Sequence, residues 1–444
     1  MDSFTPSEIS DTVNHLKNLI RINTVNPPGN EIRAVNYLKN IFDEEDIPCD
    51  IVEPSPGRAS LVARLKGDGS LKPLLLTSHL DVVPAETQHW EVDPFAGVEK
   101  NGFIWGRGAI DMKQMTALEL AIFIKARRQH LPLKRDLIFA AVADEESGCT
   151  WGSKWLVQNR PELIQAEYAL NEVGGFSITV DKTVFYPIGV AEKGICWFDI
   201  KSKGHPGHGA LPHDDQAIDH ICLATHKLAQ NRLPFHRTPL VEHFIHELAR
   251  HQKFPKNLVL KNITRPVLSN FILNHLLPDK ERSRHFKNML RNLATPTLLK
   301  AGYKPNVIPS EAAVTIDGRI LPGHTVAEFL AEVQELIGPG FEIEVFHSEE
   351  ASTTDYKNDF FNTLCSALEK HDFGCVPVPF LIPGFTDAKH YNKIGIKTFG
   401  FVPTKLPPDL NFSALYHGHN ERIPMSALKF GLEVLWDVIC KTCL

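Results

Sequence analysis

Several features that would place the chain in a special class are absent from its 444 residues. No apolar run approaches the length of about 20 residues that a transmembrane helix needs. The N-terminal segment lacks a basic stretch followed by an apolar core, so it does not resemble a secretory signal. No low-complexity tract or internal repeat is visible. We therefore expect a soluble globular protein that does not bind membranes.

Clustered cysteine and clustered positive charge are lacking as well. The eight cysteines are scattered, and Cys440 and Cys443, three residues apart, fall in an apolar C-terminal segment where a helix face accounts for both. The net charge is -6 and the Lys and Arg residues are dispersed, so we expect no nucleic-acid partner. For a chain without an export signal, reduced thiols and a cytoplasmic location are the expectation.

The length suits two domains, and the first part of the chain has an α/β pattern. Short apolar runs that read as buried strands are Leu74–Thr77, Leu137–Ala143, Tyr168–Asn171 and Thr398–Val402. Helical periodicity separates them, as in Met115–Arg128 and Gly152–Asn159. Alternating strands and helices predict a mostly parallel sheet.

The pattern changes at about residue 191. Alternating strands and amphipathic helices over 195–202, 217–229, 312–320, 326–337 and 341–347 predict a small α+β domain with its helices on one face of the sheet. The polar stretch 233–300 is predicted to be a mostly helical insertion within it. After about residue 350 the first pattern returns, so residues 1–190 and 350–444 are predicted to form one discontinuous domain around residues 191–349.

Acidic and histidine residues follow directly on the buried strands. His79 and Asp81 come after the apolar run from Leu74, although an isolated His-x-Asp is also typical of an ordinary surface turn. Ligands of open parallel sheets lie beyond the carboxyl ends of the strands, so His79 is a candidate metal ligand and Asp81 its orienting partner. Asp111, at a helix start, is either a helix cap or a carboxylate that bridges two metals.

Three consecutive carboxylates, Asp144 to Glu146, follow the second apolar strand. Adjacent like charges raise one another's pKa unless a cation neutralises them. The position therefore favours a metal ligand beside a general base over a solvated charge run. Glu172 repeats the arrangement after a third strand. His417 lies in a polar cluster before the last helix, where a surface role is equally open.

A series of short motifs carries a resemblance to a known family. In chain order they are SHLD, GRGAIDMK, DEESG, NEVGG, GHPGHGALPH, NVIPSEA, DGRILPG, GFTDA and HGHNER. Together they resemble the M20 metallopeptidases, the family of aminoacylase-1 and carboxypeptidase S, from about Pro6 to the C-terminus except for 233–300. The resemblance implies a zinc-peptidase-like catalytic domain and an inserted lid and dimerisation domain with a ferredoxin-like sheet.

The resemblance also implies a set of metal ligands. His79 and Glu172 would bind one Zn²⁺, Glu146 and His417 would bind a second, and Asp111 would bridge the two ions. The peptide bond after Asp111 is cis in relatives. Co²⁺ or Mn²⁺ would suit the same ligands.

Catalytic and substrate-binding roles follow from the same resemblance. Glu145 would be the general base, and Asp81 would contribute to catalysis by orienting His79. His208 would reach the oxyanion of the tetrahedral intermediate, usually in the site of the other subunit. Asn306 and Arg319 match positions that hold the substrate carboxylate, a task that suits the planar fork of arginine. A homodimer through the lid domain is therefore expected.

The expected reaction is hydrolysis of the amide bond of an N-acyl amino acid or short peptide with a free carboxylate. A carboxypeptidase or dipeptidase that cuts peptide bonds is one alternative, because it would share every ligand. A catalytically inactive, metal-binding interaction protein is another, although such proteins usually lose a ligand or the base. Val173 and Leu211 depart from the residues common in relatives, so the substrate pocket is expected to differ.

Overall fold

The apolar runs of the first part of the sequence form neighbouring strands of one sheet in the structure, a computed structural model that describes residues 3–230, 232–277, 280–410 and 412–444. The chain divides into two units. The larger unit comprises Met1–Val190, Thr354–Pro379 and Thr386–Leu444, and the smaller unit comprises Ala191–Thr353 and Phe380–Phe385.

The helices and strands are numbered in chain order. The helices are α1 (Pro6–Arg21), α2 (Ile32–Glu44), α3 (Lys113–Arg128), α4 (Ser153–Asn159), α5 (Pro161–Ile164), α6 (Ala217–Gln230), α7 (Pro239–Arg250), α8 (Lys256–Lys261), α9 (Pro266–Phe271), α10 (Lys280–Met289), α11 (Val326–Ile337), α12 (Asp359–His371), α13 (Ala388–Lys393) and α14 (Met425–Cys443). The strands are β1 (Cys49–Ser55), β2 (Arg58–Leu65), β3 (Leu74–His79), β4 (Val98–Lys100), β5 (Phe103–Trp105), β6 (Leu137–Val142), β7 (Tyr168–Asn171), β8 (Ile178–Val180), β9 (Thr183–Glu192), β10 (Gly194–Lys203), β11 (Gly207–His208), β12 (Leu293–Ala301), β13 (Val307–Ile308), β14 (Glu311–Ile320), β15 (Phe341–Glu349), β16 (Ser352–Thr353), β17 (Val376–Ile382), β18 (Lys397–Gly400) and β19 (Arg422–Pro424). Among the described residues, no helix combines the length and the apolar character that crossing a bilayer requires.

The main sheet of the larger unit has the strand order β1-β2-β6-β3-β7-β18-β9. Strand β3 pairs in parallel with β6 on one side and with β7 on the other, and β18 pairs in parallel with β7. Strands β1, β2 and β9 pair antiparallel with their neighbours. The predicted mostly parallel central sheet is confirmed, with antiparallel strands added at its sides.

The central strands are buried on both faces, which explains their continuous apolar sequences. On one face of β6, Phe139 contacts Phe42 of α2 and Phe123 of α3, with ring centroids 5.2 and 5.9 Å away. On the other face, Ile138 packs in a cluster with Leu156 of α4. Burial of each such side chain contributes roughly 1.5–3 kcal/mol to folding, so the packing of helices on both faces fixes the sheet.

The smaller unit is built on an antiparallel sheet with the order β12-β14-β10-β15. Helices α6 and α11 pack on it, and the shared core includes Phe198, Ile316 and Phe329. Alternate residues of β14 are buried, as a sheet covered on one face requires. The predicted α+β sheet is thus confirmed.

The prediction that the helical insertion extends to about residue 300 was wrong. Residues 293–301 form β12, an edge strand of the sheet that pairs with β14. Most side chains of β12 are exposed, so its sequence lacks the apolar alternation that reveals a half-buried strand.

The remaining insertion contains helices α7 to α10, and its first and last residues lie next to each other. Helix α7 has Thr238 as its N-cap and buries Phe244 and Ile245. An isolated β-bridge joins Phe235, before α7, to Arg291, after α10. The two ends of the insertion therefore lie side by side.

Candidate functional site

Three neighbouring parallel strands of the larger unit, β6, β3 and β7, end at the same edge of the sheet. Strand β3 ends at the buried His79, and acidic residues follow β6 and β7 directly. Six side chains meet near this edge, and we refer to them as the carboxylate cluster: His79, Asp111, Glu145, Glu146, Glu172 and His417.

Asp111 lies at the centre of the carboxylate cluster. Its Oδ1 is 3.1 Å from Nε2 of His79, and its Oδ2 is 3.2 Å from Nε2 of His417. Nε2 of His79 is also 3.6 Å from Oε2 of Glu172, and Nε2 of His417 is 3.2 Å from Oε2 of Glu146. Around Asp111 the cluster therefore has two groups, each with one imidazole and one glutamate, and Glu145 is its sixth member.

The turn before α3 holds Asp111 in place. The Asp111–Met112 peptide bond is cis. The backbone N–H groups of Ile110 and Asp111 donate to Oε1 of Glu421 at 2.8 and 3.2 Å, and Arg107 donates to Oε2 of Glu421 at 2.7 Å. Sequence reasoning gave no role to Arg107 or Glu421, and its only signal was that both fall inside quoted motifs. Burial raises the pKa of Glu421 to about 7.

Hydrogen bonds orient the ring of His79. Its Nδ1 lies 2.9 Å from the backbone carbonyl oxygen of Asp81, which only accepts, so Nδ1 carries the proton and Nε2 faces the cluster. The carboxylate of Asp81 is 3.6 Å from Nδ1. It accepts the backbone N–H groups of Glu145 and Glu146, each at 3.1 Å. Asp81 therefore touches both the histidine and the loop that carries the two glutamates.

A buried ionic network lies beneath that loop, which comprises residues 144–152. Asp144 has a φ of 69° and accepts hydrogen bonds from Arg58 at 2.7 Å and from Asn26 at 3.0 Å. Arg58 also pairs with the buried Glu31 at 2.7 Å. Of the three consecutive carboxylates, Glu145 and Glu146 belong to the cluster. Asp144 instead stabilises the loop through its hydrogen bonds to Arg58 and Asn26.

The three glutamates of the carboxylate cluster have pKa values above their ordinary value. Burial raises the pKa of Glu145 well above its usual value, and the charge of Glu172 adds to the effect. Burial likewise raises the pKa of Glu172 to about 8. The pKa of Glu146 is raised by burial and by the charge of Asp111. Each carboxylate thus lacks enough positive charge around it.

The histidines show the opposite effect. Hydrogen bonds to Asp111 and Glu146 raise the pKa of His417 to about 10. Burial lowers the pKa of His79, but the charge of Glu172 and the hydrogen bond to Asp111 outweigh it and raise the pKa above its ordinary value. Hydrogen bonds from both imidazoles keep the pKa of Asp111 low although burial opposes this. The cluster therefore gathers more carboxyl groups than its two imidazoles can neutralise, an arrangement that favours binding of a cation.

The donor atoms fit divalent metal ions. Ligand atoms of His79, Asp111 and Glu146 lie within 4.8 Å of one another, and the same holds for His79, Glu145 and Glu172. The Oε1 atoms of Glu146 and Glu172 are buried and accept no hydrogen bond from the described residues. Imidazole nitrogens with carboxylate oxygens are a donor set that Zn²⁺ accepts.

Asp387 is a further acid beside the cluster to which sequence reasoning gave no role. It is fully buried, its carboxylate accepts the hydroxyl of Ser153, and burial raises its pKa to about 6. Its charge raises the pKa of Glu145 and of Glu172. Asp387 falls inside the quoted GFTDA motif, which is the only signal that pointed to it.

The other three predicted residues belong to the smaller unit. His208 on β11 and Asn306 just before β13 are neighbours, because β11 pairs with β13 and the N–H of Gly209 donates to the carbonyl of Asn306 at 3.0 Å. Among the described residues, Arg319 on β14 pairs with Asp317, with Nε 2.9 Å from Oδ1. The structure therefore joins His208 to Asn306 and places Arg319 in a separate ion pair.

Sequence and fold both have known relatives. Residues 75–441 match the model of the peptidase family M20/M25/M40. The chain is 28% identical over 446 residues to the N-fatty-acyl-amino acid synthase/hydrolase PM20D1 of Bos taurus, which covers 96% of this chain and 86% of the relative. It is 28% identical over 450 residues to aminoacylase-1 of Homo sapiens, which covers 98% of this chain and 96% of the relative.

The fold resembles that of a solved M20 family metallo-carboxypeptidase, Sso-CP2 from Sulfolobus solfataricus, with a TM-score of 0.69 at 17% identity over 97% of this chain and 98% of the other. The family match covers most of the chain, and the donor atoms of the carboxylate cluster suit the dinuclear metal site that this family implies. The chain therefore belongs to the peptidase family M20/M25/M40, metallohydrolases that act on N-acyl amino acids or peptides.

Proposed function

We propose that the chain hydrolyses the amide bond of N-acyl amino acids that carry a free carboxylate. One observation supports this above the others: the two oxygens of Asp111 contact two different histidines of the carboxylate cluster, His79 and His417, each of which also lies beside a glutamate. A shared carboxylate of this kind suits a pair of metal ions that act together on one substrate. The names of the two relatives, an N-fatty-acyl-amino acid synthase/hydrolase and an aminoacylase, support the class of substrate.

In this proposal the cluster holds two Zn²⁺ ions. His79 and Glu172 are ligands of one ion, Glu146 and His417 are ligands of the other, and Asp111 is shared. When bound, the ions would lower the pKa of water and polarise the carbonyl of the amide. Co²⁺ or Mn²⁺ would suit the same donors.

Glu145 is the general base of the proposal. Its backbone is anchored to Asp81, and its carboxyl group offers an oxygen within 4.8 Å of ligand atoms of His79 and Glu172. From there Glu145 accepts a proton from the attacking water and delivers it to the nitrogen of the leaving amine. Its net charge is then unchanged after each turnover. Asp81 acts as a positioning residue, since it contacts both the ring of His79 and the backbone of Glu145.

Residues of the smaller unit are proposed to bind the substrate. Nδ1 of His208 accepts the N–H of Ala210 at 3.1 Å, which leaves an Nε2–H as the donor to an oxyanion. Asn306 and Arg319 are proposed to hold the free carboxylate of the amino acid. Arg319 is suited to this because an anion can share its guanidinium with Asp317, its partner in the structure.

A panel of substrates tests the proposal. The zinc-loaded chain is offered N-acetyl amino acids, amino acids with longer N-acyl chains, and dipeptides, each with and without a chelator. We expect N-acyl amino acids to be hydrolysed faster than dipeptides, with loss of turnover after chelation and recovery when Zn²⁺ is added. Faster cleavage of dipeptides would favour the peptidase alternative. Absence of hydrolysis across the whole panel would favour a metal-binding protein without catalysis.

A further inference from the structure

A second group of metal-ligand side chains lies in the smaller unit. Ligand atoms of His236, His324 and Glu332 all lie within 4.8 Å of one another. Nε2 of His236 is 2.6 Å from Oε1 of Glu332, and the rings of His236 and His324 are in contact, with centroids 4.1 Å apart. None of these residues belongs to the carboxylate cluster, and no motif of the sequence analysis includes His236 or Glu332.

Three separate segments bring these side chains together. His236 lies where the insertion begins, and its backbone N–H donates to the carbonyl of Leu290, where the insertion ends, at 2.8 Å. His324 sits in the turn that precedes α11, and Glu332 projects from α11 itself. The group therefore lies at the root of the insertion, against the helix that packs on the sheet.

Asn292 orients the carboxylate of Glu332. Its amide Nδ2 donates to Oε2 of Glu332 at 3.0 Å, and its Oδ1 accepts the N–H of Leu321 at 2.8 Å. Asn292 is almost fully buried, so this support is fixed in place. A hydrogen bond to the far oxygen of a carboxylate is the support that metal-binding carboxylates usually have.

The surroundings suit a cation that enters from solvent. The side chains of His236 and Glu332 are 18% and 14% exposed, which leaves access for an ion and a water molecule. Glu328 adds a second negative charge near His324.

We propose that His236, His324 and Glu332 form a Zn²⁺ site, separate from the carboxylate cluster, that fastens both ends of the insertion to α11. Two nitrogens, one carboxylate oxygen and a water complete a tetrahedral zinc site. Ligands about 2.1 Å from such an ion lie roughly 3.4 Å apart, so His236 and Glu332 need to separate by less than about 1 Å. On binding, the ion takes the place of the hydrogen bond between His236 and Glu332, and the proton of that bond is released to solvent.

Metal content and local hydrogen exchange test the proposal on the full chain. Chelated protein is titrated with Zn²⁺, bound zinc is counted, and deuterium uptake is followed in the peptides that contain His236 and His324. In the wild type we expect one more zinc than the carboxylate cluster binds, and slower exchange in both peptides. His324→Gln and Glu332→Gln should each lose one zinc per chain and the slower exchange.

Two control variants separate this site from the proposed catalytic one. His226→Gln, at an exposed histidine of α6, should keep the extra zinc. Asp111→Asn should weaken zinc binding at the carboxylate cluster but leave the slowed exchange of the His236 and His324 peptides intact. Zinc-independent exchange of these peptides in the wild type would overturn the proposal. Zinc-dependent slowing that persists in both His324→Gln and Glu332→Gln would also overturn it, whatever the catalytic activity proves to be.

Discussion

Glu145 and Glu146 are adjacent in the chain, but their surroundings differ. Oε2 of Glu146 is 3.2 Å from the imidazole of His417, and burial and the charge of Asp111 raise its pKa. Apart from burial, the strongest influence on the pKa of Glu145 is the charge of another carboxylate, Glu172, which raises it. Glu146 therefore belongs to one group of the cluster through its contact with His417, whereas Glu145 lies near His79 and Glu172 and makes no such contact with His417 among the described residues.

Glu145→Gln is expected to abolish catalysis while it leaves metal binding in place. An amide cannot accept the proton, and loss of general base catalysis lowers turnover by roughly 10²–10⁴-fold. Turnover of an N-acyl amino acid and zinc content are both measured. The matched control is Glu99→Gln, at an exposed glutamate, which should match the wild type. Near-normal turnover by Glu145→Gln with full zinc content would contradict the assignment of the base.

Glu119 on α3 is a buried carboxyl group outside the cluster. Oε2 accepts the hydroxyl of Ser78 at 2.7 Å, and Oε1 is buried without a hydrogen bond from any described residue. Burial raises the pKa of Glu119 well above its usual 4.5. The folded chain therefore keeps a proton that the unfolded chain releases, so the contribution of Glu119 to the free energy of unfolding falls as pH rises above about 4.5.

Glu119→Gln should remove this pH dependence, because glutamine has the same shape and no charge. The difference in free energy of unfolding between the variant and the wild type should grow in favour of the variant, by up to about 1.4 kcal/mol per pH unit until the folded pKa is reached. Denaturant unfolding of the metal-free proteins from acid to neutral pH measures it. Glu44→Gln, at an exposed position on α2, is the control, and a constant difference for Glu119→Gln would contradict the argument.

At the scale of elements, the loop from β6 to α4 decides the geometry of the cluster. It turns sharply, with Asp144 and Gly148 at φ values of 69° and 100°. It then passes so close to the end of β6 that a Cβ on Gly152 would lie 1.7 Å from the carbonyl oxygen of Ala143. No side chain fits there, so the glycine lets the loop fold back under Glu145.

Gly152→Ala is expected to displace the loop, because neither backbone segment can yield by the distance required. Overpacking of this kind costs typically 1–3 kcal/mol, and the shift should also break the contacts of Asp81 with the loop and weaken zinc binding. Denaturant unfolding and zinc titration check both effects. Gly384→Ala, in open space, is the control and should change neither quantity. Normal stability and zinc affinity in Gly152→Ala would contradict this account.

The elements with strong patterns were predictable, and those without them were not. Helices α6 and α11 have apolar faces that pack on the sheet of the smaller unit, so their periodicity showed in the sequence. Strands β1 and β12 lie at sheet edges and expose many side chains, so no apolar pattern marked them. Val173 adopts a φ of 56° beside Glu172, a conformation that its sequence does not favour and that the surrounding fold imposes.

At the scale of the whole molecule, we expect a homodimer that forms through the smaller unit. Strand β12 stands at the edge of the sheet formed by the described residues, and Leu298 and Leu299 on it are each 56% exposed. An edge strand with exposed leucines favours pairing with a second copy of the chain. The dimer is an expectation from the family resemblance that this surface supports.

Sedimentation equilibrium tests the dimer. We expect the wild type to have twice the mass of the chain, and Leu298→Lys with Leu299→Lys to weaken association at least tenfold, since paired charges at an interface repel. Phe373→Lys, at a fully exposed residue of the larger unit, should leave association unchanged. A monomeric wild type, or a dimer that the lysines do not weaken, would contradict the expected interface.

The sequence by itself determined the central strands, helices α3 and α4 between them, and the acidic and histidine residues at the strand ends. It did so because a buried strand or helix leaves a local apolar pattern in the sequence. Such a pattern can be recognised without knowing which other element packs against it. The tertiary structure alone decided that Asp111 lies between two histidines, that Asp144 turns away to Arg58, and that Glu421 holds the turn of Asp111. These contacts join residues far apart in the chain, and only the packed sheet sets the distances at which their charges act.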